Sequence, residues 1–186
     1  YEFVQLKGKG QMHKSTGSTV TGVDALRITP ASVMNYIVLR VNPSRHIDYD
    51  AGLGILDMVD EYDRVEGMYY SGVCEERDRD LLRAYELSQP EKARSNLPLQ
   101  VPYRHLVSLV QITDGFEGVL ATLRRMGAVT DQVSPEDLAI LKQRVECVQY
   151  WLKSFAPDEV KFAVCECMPS CELSEQEKCF LKKLYA

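Results

Sequence analysis

The stretch L-R-I-T-P-A-S-V-M-N-Y-I-V-L-R-V-N-P-S-R-H-I-D-Y-D-A-G-L-G-I-L-D-M-V-D-E-Y-D-R-V-E, Leu26 to Glu66, decides the fold. Thr29 followed by Pro30 predicts an N-cap with proline at the first helical position, opening a mostly apolar helix through Val41. Asn42-Pro43 ends it, because the residue before proline avoids the helical region. Arg45 to Tyr49 then reads as a brief strand. From Gly52 to about Tyr70 a long helix is expected, with Ile55, Met58, Val59, Tyr62, Val65 and Tyr69 on one stripe. Asp57, Asp60, Glu61 and Asp63 fall away from that stripe. The acidic cluster at 57–66 reads as a solvated face, since it lacks the alternating ligands and glycine of a calcium loop.

Moving outward, residues 1–6 alternate apolar and polar as a short strand. Residues 7–22 form a loop carrying Gly8, Gly10, Gly17 and Gly22 among Lys, Ser and Thr, and Val23–Ile28 makes a short helical turn. The order is strand, helix, helix, strand, helix. Downstream, residues 71–100 are mixed and read as a junction, with Gln89-Pro90 and Leu97-Pro98 as punctuation. Pro102 opens a helix through about Thr113, and Asp114-Gly-Phe-Glu117 has the form of a capping box. Ser134-Pro135-Glu136-Asp137 starts the strongest helix, with Leu138, Leu141, Val145, Val148, Leu152 and Phe155 on its core seam. Trp151, beside that seam, reads as packing. Ser174-x-x-Glu177 caps a last helix. The expected class is mostly α with a small α+β N-terminal part.

Composition narrows the function classes. The chain has 186 residues, 45% of them hydrophobic, with 22 Lys+Arg against 27 Asp+Glu. The longest uncharged run, Ile28 to Leu39, is too short for a bilayer span. Tyr1–Lys9 lacks the basic and apolar regions of a secretory leader, so a cytoplasmic protein is expected, one with no membrane or DNA partner. The acidic balance argues against a generic nucleic-acid binder. Four of the six cysteines, Cys165, Cys167, Cys171 and Cys179, crowd near the C-terminus. Their C-x-C-x3-C-x7-C spacing is not that of paired zinc knuckles, so reduced thiols are expected, with no metal.

The chemistry-bearing stretch is G-K-G-Q-M-H-K-S-T-G-S-T-V-T, Gly8 to Thr21. Backbone N–H groups near glycine, with lysines and hydroxyls beside them, suit the oxygens of a polyphosphate. No G-K-[ST] occurs, so this is not a Walker-type loop. On composition alone a plain surface loop is the better fit, because loops rich in Gly, Ser and Lys are common.

The residue order goes further. Gln11-Met12-His13-Lys14-Ser15 followed by Thr-Gly-Ser-Thr-Val-Thr resembles the K-M-S-K-S loop of class I aminoacyl-tRNA synthetases. Leu26–Glu66 resembles the region after that loop in class I lysyl-tRNA synthetases, and Pro102–Ile112 and Phe155–Phe162 are similar to the helical part of that family. The resemblance implies a C-terminal portion of such an enzyme, inactive alone, cut within its last helix and lacking an upstream Rossmann-type catalytic domain. Residues 1–22 would end that domain and 23–72 would form a stem-contact fold. Residues 73–100 would connect it to a helical anticodon-binding cage at 101–186.

The substrates implied are ATP with magnesium, lysine and tRNA(Lys). Lys14 and Ser15 take the catalytic positions, and Gln11, Met12, His13 and Gly17 the ATP-contacting ones. Gln11 replaces the first lysine of the motif and His13 a serine, so the charge at both positions departs from the pattern. Arg45, Arg104, His105, Arg124 and Arg125 are the candidate tRNA contacts, with solvated helix faces as the plain alternative. Pairing of Arg45 with Asp48 or Asp50 is the plain alternative there. Two other assignments fit: a non-catalytic helical RNA- or protein-interaction module with a decayed loop, or another class I synthetase such as one for glutamate.

Overall fold

The computed structural model describes residues 4–6, 10–11, 20–89, 94–164 and 174–178. Strand β1 (Val4–Leu6) pairs antiparallel with β2 (Gly10–Gln11) and parallel with β3 (Ile47–Tyr49), giving the sheet order β2-β1-β3. Between β1 and β3 run helices α1 (Gly22–Ile28) and α2 (Ala31–Leu39), and α3 (Gly54–Ser71) follows. The strand-helix-helix-strand-helix order is therefore present, with β2 added as a hairpin arm. The rest is helical: α4 (Arg79–Ser88), α5 (Tyr103–Ile112), α6 (Gly115–Arg125) and α7 (Pro135–Ser154).

Two expected caps differ from the structure. Thr29 does not cap α2. It ends α1, and its buried hydroxyl shares a 3.0 Å hydrogen bond with the Tyr49 hydroxyl on β3. A threonine committed across the core cannot also serve a helix start, so Pro30 takes the N-cap place of α2 with no side-chain bond. The Asp114 carboxylate makes no cap bond either, with Gly115 beside it at φ 59°. Ser134, by contrast, accepts from the Asp137 N–H at 3.0 Å with Pro135 at the helix start, as its spacing implies. Ser174 and Glu177 form the reciprocal pair expected of a capping box.

The stripe of α3 is buried as its period requires: Ile55, Met58, Val59, Tyr62 and Val65 belong to one core that continues through Leu106, Leu123, Leu141, Val145 and Val148. Trp151 is fully buried, and its indole N–H donates to the Ala51 carbonyl at 2.9 Å. Within 73–100 the chain contains α4, which packs against both α2 and α3 and buries Ala84 and Tyr85.

Before α3, the motif D-Y-D-A-G-L-G resolves into a tight turn. Asp50 Oδ1 accepts from the Gly52 N–H at 2.8 Å. The Asp50 side chain then lies where a Cβ on Gly54 would stand, 2.7 Å from its Oδ2. Glycine at 54 is thus required by close approach, not by backbone angle.

The acidic flank of α3 is solvated at Asp57 and Asp60, as expected, but not at Asp63 and Glu66, and its carboxylates are paired. Asp63 takes both terminal nitrogens of Arg144 on α7, at 2.8 and 2.5 Å. Glu61 takes Arg40 at 2.8 Å, and Arg104 of α5 reaches Asp57 at 2.5 Å and Asp60 at 2.9 Å. Glu66 is buried and accepts from the Tyr85 hydroxyl and the Gln100 amide, both at 2.9 Å. Helix periodicity locates the apolar stripe but is blind to arginines arriving from α2, α5 and α7, and these convert the opposite flank into a pairing surface.

Candidate functional site

The phosphate-suited loop leaves β2 at Gln11 and returns at Thr21, where α1 begins. Met12, His13, Lys14, Ser15 and Gly17 lie outside the described residues, as do Cys165, Cys167, Cys171 and Cys179. Gln11 pairs with Gln5 across the hairpin. The entry strand is thus tied into the sheet through β1, and β1 in turn is tied to β3.

The return is built with more detail. Thr21 accepts from the Asp24 N–H at 3.1 Å, while Asp24 Oδ2 accepts from the Thr21 N–H at 3.2 Å and its hydroxyl at 2.6 Å. This is a full capping box, with an acidic residue in the first turn where the helix dipole favours it. The other carboxylate oxygen, Oδ1, accepts from the Tyr150 hydroxyl of α7 at 3.0 Å. Arg27, one turn further along α1, places its guanidinium 5.4 Å from the Tyr150 ring centroid. The Thr21 side-chain bond, then its backbone bond and the Tyr150 hydroxyl hold the Asp24 carboxyl below the usual carboxylate range. The signal for Thr21 and Asp24 was present as T-x-x-D. Nothing local pointed to Tyr150, 126 residues away.

Beside the return, Val20, Ala25, Leu26, Met34, Ile37 and Ile47 line an apolar hollow of about 410 Å³. A second, more polar concavity of about 270 Å³ lies between α3, α4 and α7, over Tyr62, Tyr85 and Arg144. Burial pushes the Tyr62 hydroxyl up to about 12. The polar groups there are mutually satisfied: Gln89 donates to the Tyr62 hydroxyl at 3.1 Å, and Glu66 and Arg144 hold the partners given above.

The candidate RNA-contacting residues separate into two groups. Arg104 is committed to Asp57 and Asp60, and Arg124 lies 3.5 Å from Asp131. Arg45 and Arg125 are exposed and have no ion-pair partner among the described residues; the pairing of Arg45 with Asp48 or Asp50 does not form. His105 is half-buried on α5. The five are not brought together as one cluster: Arg45 precedes β3, Arg104 and His105 sit on α5, and Arg124 and Arg125 end α6. No single helix among the described residues is long and apolar enough to cross a membrane.

Residues 1–91 match the family described as tRNA synthetases class I (K). Relatives at 34–37% identity covering most of the chain are lysine–tRNA ligases. The lysine–tRNA ligase of Thermoplasma volcanium is 36% identical over 98% of this chain and 34% of its own length. That of Pyrococcus horikoshii is 37% identical over 94% of the chain and 34% of its own length. That of Methanopyrus kandleri is 34% identical over 99% and 34%. The chain thus spans about a third of the length of the curated relatives it matches.

Proposed function

We propose that this chain is the C-terminal portion of a class I lysine–tRNA ligase, running from the signature loop through the tRNA-binding region. Similarity to lysine–tRNA ligases along nearly the whole chain carries this reading. The strand-helix-helix-strand-helix order and the helical remainder agree with a stem-contact fold followed by a helical anticodon-binding unit. The parent protein joins lysine to tRNA(Lys) with ATP as substrate, in the cytoplasm. An upstream domain supplies the lysine pocket and most of the ATP site.

The role of the loop follows from charge. When the lysine carboxylate attacks the α-phosphorus, the bond to the bridging oxygen breaks and pyrophosphate leaves. Negative charge grows on the bridging and β,γ oxygens. A lysine that reaches those oxygens chiefly in the transition state lowers the barrier without merely tightening ATP binding. Lys14 is that residue. Ser15 and backbone amides at Met12 and His13 add hydrogen bonds, Gly17 gives the backbone freedom, and Gln11 contributes a hydrogen bond without charge. Of the candidates Arg45, Arg104, His105, Arg124 and Arg125, the two arginines with no carboxylate partner among the described residues, Arg45 and Arg125, contact tRNA phosphates, which set position while anticodon bases set specificity.

Lysine-dependent ATP–pyrophosphate exchange by the full-length protein carrying this chain tests the reading. Lys14→Ala should lower kcat by a factor on the order of 10² or more, the scale of losing one transition-state charge partner. Unchanged exchange refutes the role of Lys14. Exchange that depends on glutamate in place of lysine refutes the substrate, and no exchange with any amino acid leaves a non-catalytic RNA- or protein-binding module.

A further inference from the structure

Phe162 combines a half-exposed ring with a backbone that is held fast. Its N–H donates to Gln111 Oε1 on α5 at 2.8 Å, and Gln111 Nε2 donates to the Val160 carbonyl at 3.2 Å. The same amide nitrogen donates to the Val107 carbonyl one turn back at 2.9 Å, which fixes the Gln111 side chain. One glutamine thus does for residues 160–162 what a neighbouring strand would do. A lone exposed aromatic needs no explanation. Here, however, the ring borders an open groove of about 410 Å³, lined on its apolar side by the partly buried Val110 and Leu152.

The rest of the groove is polar and basic. Gln149 and Lys153, one turn apart on α7, and Lys161 beside Phe162 complete it. Gln149 and Lys153 are exposed and make no hydrogen bond or ion pair among the described residues. Lys161 pairs with Asp158 at 3.0 Å, an exposed contact that is cheaply exchanged for another anion. No carboxylate among the described residues lines the groove. A purely apolar occupant would leave two lysines and an amide unused, and a simple anion would leave the ring unused. The combination suits an unpaired nucleotide: a π face for the base, an amide for its edge and cations for its phosphates. We propose that Phe162 is a stacking platform for an unpaired tRNA nucleotide, with Lys153 and Lys161 on the adjoining phosphates and Gln149 on the base edge. Because Gln111 fixes the backbone beforehand, the ring loses little freedom on binding. The inference rests on the tRNA-binding reading given above.

The test is binding of the full-length protein to a tRNA(Lys) transcript, read by fluorescence anisotropy across a salt series. Phe162→Ala should raise Kd by about 5- to 100-fold, the range for losing one base stacked on an aromatic side chain. Phe162→Tyr keeps the ring and should stay within about twofold of wild type. Lys153→Ala should flatten the plot of log affinity against log salt by about 0.7, the value of one single-strand phosphate contact, whereas Phe162→Ala should leave that slope unchanged. The deciding measurement uses transcripts carrying an abasic site at each unpaired position in turn. At one position the loss should match that of Phe162→Ala, and combining the two should bring no further loss. Additive losses at every position overturn the proposal, because the ring would then act through folding and not by stacking. Wild-type affinity in Phe162→Ala also overturns it, and a dimer seen in sedimentation that this variant loses would assign the groove to a second copy. Failure of the wild-type protein to bind tRNA(Lys) removes the tRNA reading, and this inference with it.

Discussion

Arg144 of α7 meets Asp63 of α3 fork to fork, its two terminal nitrogens 2.8 and 2.5 Å from the two carboxylate oxygens. Arg144 is buried, and the Asp63 partner bonds hold its guanidinium charged against a large desolvation penalty. Coulomb attraction here offsets a cost that each ion would bear alone. Arg144→Ala should therefore destabilise the protein by about 3–5 kcal/mol, as for a buried pair broken on one side. A joint replacement of Arg144 and Asp63 by apolar residues of similar volume should cost much less. Chemical denaturation of the single and double variants measures the difference.

Next to that pair, Glu66 sits in the core with its carboxyl raised above its ordinary value of 4.5, burial outweighing the bonds from Gln100 and Tyr85. A carboxyl whose folded pKa is raised binds its proton more tightly when folded. Its contribution to stability is thus greatest below about the unfolded value and declines as pH rises through the folded one. Glu66→Gln keeps an acceptor for one neighbour and a donor for the Tyr85 oxygen, and cannot ionise. The stability of this variant relative to wild type should rise as pH increases above 4.5. A flat difference across thermal melts from pH 4 to 8 would contradict it.

Gly54 gives a local prediction. A methyl at this position would overlap the Asp50 side chain, which also caps the Gly52 N–H. Gly54→Ala should cost about 1–3 kcal/mol through overpacking, although alanine is the better helix former. Gly67→Ala, in the same helix with nothing within 4 Å of the added carbon, should be neutral or slightly stabilising. Thermal melts of the two variants side by side check the contrast.

These positions also mark how far the sequence could be read. The order of elements through residue 71 and the stripe Ile55–Tyr62–Val65 follow from local periodicity and proline punctuation, which act over a few residues. Thr29 was misassigned because its hydroxyl is claimed by Tyr49, twenty residues away. The pairing along Asp57–Asp63, and the burial of Asp63, could not be read locally, because the arginines come from the end of α2, from α5 and from α7, and no window of sequence contains both partners. Tyr150 was invisible for the same reason. The reading of Met12–Ser15 rests on residue order alone, and these residues lie outside the described ones. Helix α4 was hidden inside a stretch whose alternating charges suggested a junction, and only its burial of Ala84 and Tyr85 against α2 and α3 reveals its role.

Ion pairing ranks the candidate RNA contacts. Arg104 already serves Asp57 and Asp60, and Arg124 has Asp131 nearby, so a phosphate would have to compete with carboxylates for either. Arg45 and Arg125 have no such competitor among the described residues. In tRNA binding by the full-length protein, Arg45→Ala and Arg125→Ala should each weaken affinity and flatten the plot of log affinity against log salt by about 0.7–0.9, the value of one phosphate contact. Arg104→Ala should leave that slope nearly unchanged, and as an exposed pair its loss should cost under about 1 kcal/mol of stability. Asp57→Asn with Asp60→Asn releases Arg104 from both partners and should steepen the slope by about one contact. Slopes unaffected by Arg45→Ala and Arg125→Ala would place the RNA on another face of the molecule.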